Sequence, residues 1–145
     1  MTARPWESLK SVVYVTNAKL ARLFEEQRER FRREGKVRED GRVEESLLYH
    51  GSSVENINKI VAGGFCLDSE PEDGARRKLM MFGRGVYLSA LPGVSMMYGE
   101  ALLLCRVLLG KCERYHPTGG TPVQIQIIFL LILYFHMILY DFIVS

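Results

Sequence analysis

Leu47-Leu48-Tyr49-His50-Gly51-Ser52-Ser53-Val54-Glu55 is the stretch on which the fold reading turns. Leu47 to Tyr49 is apolar and aromatic and reads as a short strand running into His50. Ser52 to Glu55 has the serine-to-glutamate spacing of a capping box, in which side chains satisfy free backbone N–H groups at a helix start. A helix carrying Ile57, Ile60 and Val61 follows, and Gly63-Gly64 ends it. His50 and Gly51 are therefore expected at the junction of a strand end and a helix start. Backbone N–H groups are free at such a junction, and small ligands commonly dock there.

Upstream, Val12-Val13-Tyr14-Val15 is β-branched and aromatic and predicts a strand. Thr16 or Asn17 can cap the helix that follows, whose inward positions are Leu20, Leu23, Phe24, the stem of Gln27, and Phe31. Charges fill its other face and Gly35 supplies a stop. Downstream, Asp68 to Lys78 is a polar loop containing Pro71 and Gly74, long enough to act as a lid. A glycine turn then leads into an expected strand at Val86-Tyr87-Leu88. Pro92 or Gly93 opens a short helix that sets Ser95 and Tyr98 three residues apart, hence on one face. Leu102 to Leu109 is a nearly unbroken apolar run of strand length, as in a central strand buried on both faces.

The chain has 145 residues, enough for one core and not two. An apolar fraction of 48% with 25% charged residues is that of a globular protein, which argues against wholesale disorder. The net charge of +2 is too small, and too evenly interleaved with acids, to make nucleic acid the expected partner. Cys66, Cys105 and Cys112 are odd in number and unpaired in spacing, so neither a disulfide framework nor a metal site is expected. Cys112 and His116 supply only two candidate ligands. Met1 to Lys10 has no apolar run of the signal-peptide kind, so the expected setting is intracellular, cytoplasmic or nuclear.

The polar groups gathered near strand ends are His50, Ser52, Tyr87, Ser95 and Tyr98. Taken singly, each has an ordinary structural explanation. A strand tyrosine usually packs across strands, and Gly83-Arg84-Gly85 lacks the third glycine of a dinucleotide fingerprint. Taken in order, they say more. His50-Gly51-Ser52 comes first, and Gly83-Arg84-Gly85-Val86-Tyr87-Leu88-Ser89 follows. Ser95-Met96-Met97-Tyr98 and then Leu104-Cys105-Arg106-Val107-Leu108-Leu109-Gly110-Lys111 complete the series. This succession resembles the catalytic domain of the poly(ADP-ribose) polymerase superfamily of ADP-ribosyltransferases, most specifically over residues 48–112 of a partial domain at 1–120.

The resemblance implies an α+β fold of the split two-sheet ADP-ribosyltransferase kind, incomplete at its C-terminal end, with NAD as co-substrate in the cleft between the sheets and no metal. It implies that His50 and Tyr87 belong to the catalytic set, and that His50, Gly51, Ser52, Tyr87, Ser95 and Tyr98 hold NAD. Gly51 would pair its N–H and C=O with the nicotinamide carboxamide, and its lack of a side chain would let the ligand approach closely. Ser95 would add a hydroxyl contact. Tyr87 and Tyr98 would bracket the ring, whose flat π-face such stacking selects. His50 would bond the adenosine ribose, with Ser52 near the same ribose or at the helix cap. Asp68 to Lys78 would be the loop covering the dinucleotide. The implied reaction transfers ADP-ribose to a side chain of an acceptor protein and releases nicotinamide. The family's third triad residue, a glutamate in polymer-forming members, is not located here: no glutamate follows Glu113, which favours transfer of single units. The rival expectations are an NAD- or ADP-ribose-binding module without turnover, a truncated fragment, and a membrane-associated protein.

The last reading comes from residues 121–145, where Val123 to Val144 is rich in Ile, Leu, Phe and Tyr, with Gln126, His136 and Asp141 as interruptions. Three readings stand side by side. Buried strands would complete the sheet, as the β-branched residues favour. A membrane anchor would use the roughly 20 residues that span a bilayer as a helix, at the cost of burying His136 and Asp141. Substitution of the authentic last strands by unrelated residues, after truncation or splicing, is the favoured expectation of the three.

Overall fold

A computed structural model describes residues 9–66, 85–109 and 137–142, with residues 9–10 and 137–142 described by their backbone. The chain is α+β. In order come β1 (Leu9–Val15), α1 (Ala18–Arg33), β2 (Glu45–Ser52), α2 (Val54–Gly63), the short α3 (Pro92–Ser95) continued by a 3₁₀ turn (Met96–Tyr98), β3 (Ala101–Leu108) and β4 (Met137–Phe142). The four strands form one antiparallel sheet in the order β1-β4-β3-β2.

The expected strand at Val12–Val15 lies within β1, and that at Leu102–Leu109 coincides with β3 up to Leu108, Leu109 falling one residue beyond its end. β3 is central, and the buried residues on both of its faces explain why its sequence does not alternate. β4 comes from the apolar stretch near the end of the sequence and lies between β1 and β3, pairing Tyr14 with Ile138 on one side and Leu102 with Tyr140 on the other. The loop at Asp68–Lys78, the Gly83-Arg84 pair, the Cys112/His116 pair and the remainder of Val123–Val144 lie outside the described residues. Among the described residues no helix is long and apolar enough to cross a membrane.

Asn17 caps α1, its Oδ1 accepting from the Leu20 N–H at 3.1 Å. The same side chain donates through Nδ2 to the Val61 and Ala62 carbonyls, at 2.9 and 3.2 Å, so the start of α1 is tied to the end of α2. Leu20 joins Leu48, Ile57, Ala101, Leu103, Cys105, Val107 and Leu109 in the main core. Further along α1, Phe24 and Phe31 pack with Val43 and Leu108 in a second cluster. Of the inward positions read from the sequence, Leu20, Phe24 and Phe31 are buried, Leu23 is partly buried against the main core and Gln27 is half-buried.

Two local expectations are corrected. Val86–Leu88 is not a strand, because only Ser89 bridges to β2 and the ladder goes no further. The capping box is also incomplete. Ser53 is the N-cap of α2, but Glu55 turns outward to Lys59 at 2.6 Å, and the carboxylate that reaches the helix start is Glu100, accepting from the Val54 N–H at 3.0 Å. A lysine one turn ahead competes for Glu55, while Glu100 arrives with the turn that precedes β3.

Candidate functional site

β2 continues through Ser52, so His50 and Gly51 sit inside the last part of a strand and not beyond its end. This corrects the expected junction and locates the free backbone groups differently. In an antiparallel ladder the N–H and C=O of one residue point to the same side, and successive residues alternate. Tyr49 exchanges both of its backbone bonds with Ser89, at 2.8 and 2.9 Å, on the side of β2 away from β3. Gly51, two residues on, therefore aims its N–H and C=O at that same outer edge. Continuing the register from Tyr49–Ser89 would set Gly51 opposite Tyr87. No such pair forms, because the bridge is isolated.

The Tyr87 carbonyl instead meets Nδ1 of His50 at 3.0 Å. A carbonyl can only accept, so Nδ1 carries the proton and Nε2 of the neutral ring is left as an acceptor. Burial pushes the His50 pKa below its ordinary value, partly opposed by the bond to Tyr87. The imidazole is therefore held neutral at physiological pH. Phe65 packs on the ring edge-to-face, with centroids 4.9 Å apart and planes at 88°.

The third segment comes from α3. Ser95 is buried, at 4% exposure, and its Oγ donates to the Tyr49 carbonyl at 2.9 Å. That carbonyl accepts from Ser89 as well. The Ser95 backbone lies directly against Gly51: a Cβ at position 51 would fall 1.7 Å from the Ser95 carbonyl oxygen. Gly99 repeats the arrangement one residue along β2, where a Cβ would fall 2.2 Å from the Ser52 carbonyl carbon. Both glycines are thus demanded by the crossing of two backbones. Tyr98, just before Gly99, is 48% exposed. Ser52 faces α2, its Oγ accepting from Asn56 Nδ2 at 3.2 Å.

The structure thus brings His50 to Tyr87, Gly51 to Ser95, and Ser52 to the residue following Tyr98. Sequence reasoning passed over Tyr49, Phe65, Ser89 and Gly99, which hold these groups in place. Gly99 beside Tyr98 was the one visible signal. Among the described residues no group of three His, Cys, Asp or Glu side chains is placed to hold a metal ion.

Set beside known proteins, residues 3–118 match the family model described as the poly(ADP-ribose) polymerase catalytic domain. The chain belongs to that family. Two relatives, each named protein mono-ADP-ribosyltransferase PARP4, are similar to it: the mouse protein is 37% identical over 76 residues, and the human one 38% over 79 residues. These matches cover 46% and 48% of this chain but only 4% and 5% of the two relatives. The match therefore spans only a small part of the length of those proteins.

Proposed function

We propose that this chain is an NAD-dependent ADP-ribosyltransferase domain that passes single ADP-ribose units to a side chain of an acceptor protein, and that its NAD cleft lies between this sheet and a second one, as in the split two-sheet fold. The observation that carries the proposal is the break in pairing at Gly51. A primary carboxamide offers one acceptor and one N–H donor side by side, and the Gly51 N–H and C=O on the outer edge of β2 are the complementary pair. Ser95 contributes a lone pair to the same amide while its hydrogen remains on the Tyr49 carbonyl, since one hydroxyl has one hydrogen to give. Tyr87 and Tyr98 bracket the nicotinamide ring. Nε2 of His50, an acceptor by virtue of the Tyr87 bond, takes a hydrogen from an adenosine ribose hydroxyl.

In the reaction the bond between ribose C1′ and the nicotinamide nitrogen breaks, its electron pair leaving with nicotinamide. The acceptor nucleophile bonds to C1′ from the opposite face and gives up its proton. Positive charge builds on the ribose, so the chain contributes by holding the leaving group and the ribose in a fixed relation and by excluding water. The name of the mouse and human relatives supports the single-unit reading. Incubation of the full chain with NAD labelled in the adenosine, together with candidate acceptor proteins, tests the proposal. Transfer of label with one nicotinamide released per unit is expected. NAD binding without nicotinamide release would make the domain a binding module.

A further inference from the structure

His50 is useful to NAD only in one tautomer and one orientation, and among the described residues two contacts from separate segments bear on it. The first is the Tyr87 carbonyl on Nδ1. The second is Phe65, which reaches the ring after Gly64, whose φ of +89° is a backbone conformation that favours glycine, ends α2. Phe65 is partly buried and packs on the core that contains Leu48 and Leu103. Leu48 lies two residues from His50 on the same face of β2, and Leu103 is the cross-strand partner of His50. The imidazole is therefore confined by strand neighbours below it and by one aromatic ring beside it.

We propose that Phe65 is a positioning residue for His50: its ring, set edge-to-face on the imidazole, keeps Nδ1 aimed at the Tyr87 carbonyl and Nε2 turned outward as the ribose acceptor. Turning the imidazole plane about its Cβ–Cγ bond would break the edge-to-face contact, remove the Nδ1 bond and carry both nitrogens away from their places. An aliphatic side chain of similar bulk would fill the space but would not favour one ring orientation, because the edge-to-face preference comes from the quadrupoles of two aromatic rings. The second step of this inference, the use of Nε2 by ribose, rests on the proposed NAD reading; the first does not.

The experiment uses the full chain with ¹⁵N-labelled histidine, read by long-range ¹H–¹⁵N correlation at neutral pH with and without NAD, for the wild type and for Phe65→Leu and Phe65→Tyr. Wild type and Phe65→Tyr are expected to show one neutral His50 tautomer protonated at Nδ1. Phe65→Leu, which keeps the bulk and so the fold, is expected to show averaged nitrogen shifts and NAD binding weakened about 2- to 10-fold, the range that one aromatic pair supports. Phe65→Tyr is expected to bind NAD as the wild type does. A Phe65→Leu chain that keeps the pure Nδ1 tautomer would overturn the positioning role whatever NAD does. A tautomer change with no NAD bound to any of the three proteins would uphold the positioning of His50 and count against the NAD reading alone.

Discussion

The two outer strands of the sheet are a study in contrast. β1 exposes apolar side chains on both faces, with Val12 and Val13 about half exposed and Tyr14 at 73%. β2 has a second layer of chain laid across its outer edge: a bridge at Ser89, a buried serine hydroxyl on the Tyr49 carbonyl, and two glycines whose missing Cβ atoms make room for crossing backbone. An exposed apolar edge is what attracts the eye in a sequence. The organised edge is the one with oriented donors and acceptors, and recognition of a polar ligand depends on those.

The harshest way to break this comparison is to fill the crossings. Gly51→Ala and Gly99→Ala each force atoms into backbone and are expected to cost about 1–3 kcal/mol of stability or more, read by thermal unfolding. Gly51→Ala is further expected to abolish NAD binding in calorimetry, while Gly99→Ala weakens it less. Tolerance of both would mean that the β2 edge is not packed as described. Ser95→Ala removes one bond to a carbonyl that keeps its Ser89 partner, so a loss of about 1 kcal/mol is expected.

Those glycines also mark how much was legible beforehand. Asn17 and Gly35 at the ends of α1, its buried Leu20, Phe24 and Phe31, and the doubly buried β3 all follow from local pattern, because each depends on neighbours within a few residues in the chain. The break at Val86–Leu88, the cap from Glu100, and the insertion of β4 between β1 and β3 depend on segments far apart in sequence, and no periodicity encodes them. In the site, motif order pointed to His50, Gly51, Tyr87, Ser95 and Tyr98. It gave ligand approach as the reason for a glycine at position 51; the packing of the Ser95 backbone into the space a Cβ would take is a second reason that local pattern could not show. Phe65 carried no signal at all, since its partner is fifteen residues away on another element.

A gentler test uses pH. The folded pKa of His50 lies below the unfolded value of about 6.5, so its contribution to stability is complete above that pH. As pH falls, the unfolded chain takes up the proton first. Stability is therefore expected to decline from about pH 6.5 until the folded ring also protonates. NAD affinity is expected to hold to a lower pH than stability does, then drop as Nε2 stops accepting. His50→Asn should flatten both profiles between pH 5 and 7, a window set by the ordinary histidine pKa of about 6.5. Smallest of all is the opposite edge: Tyr14→Thr on β1 is expected to change stability by no more than about 0.5 kcal/mol and to leave NAD binding unaltered. A large effect on binding there would erase the distinction between the two edges.

The most direct test titrates nicotinamide alone into the ¹⁵N-labelled full chain and follows the backbone amides of β2 and α3. Saturable binding is expected, in which the Gly51 amide proton moves downfield as it takes up a carbonyl acceptor, with smaller shifts at Ser95 and Tyr98 and none at Tyr14. Saturable binding that leaves Gly51 unmoved, or no binding by a folded chain, would contradict a carboxamide site at Gly51.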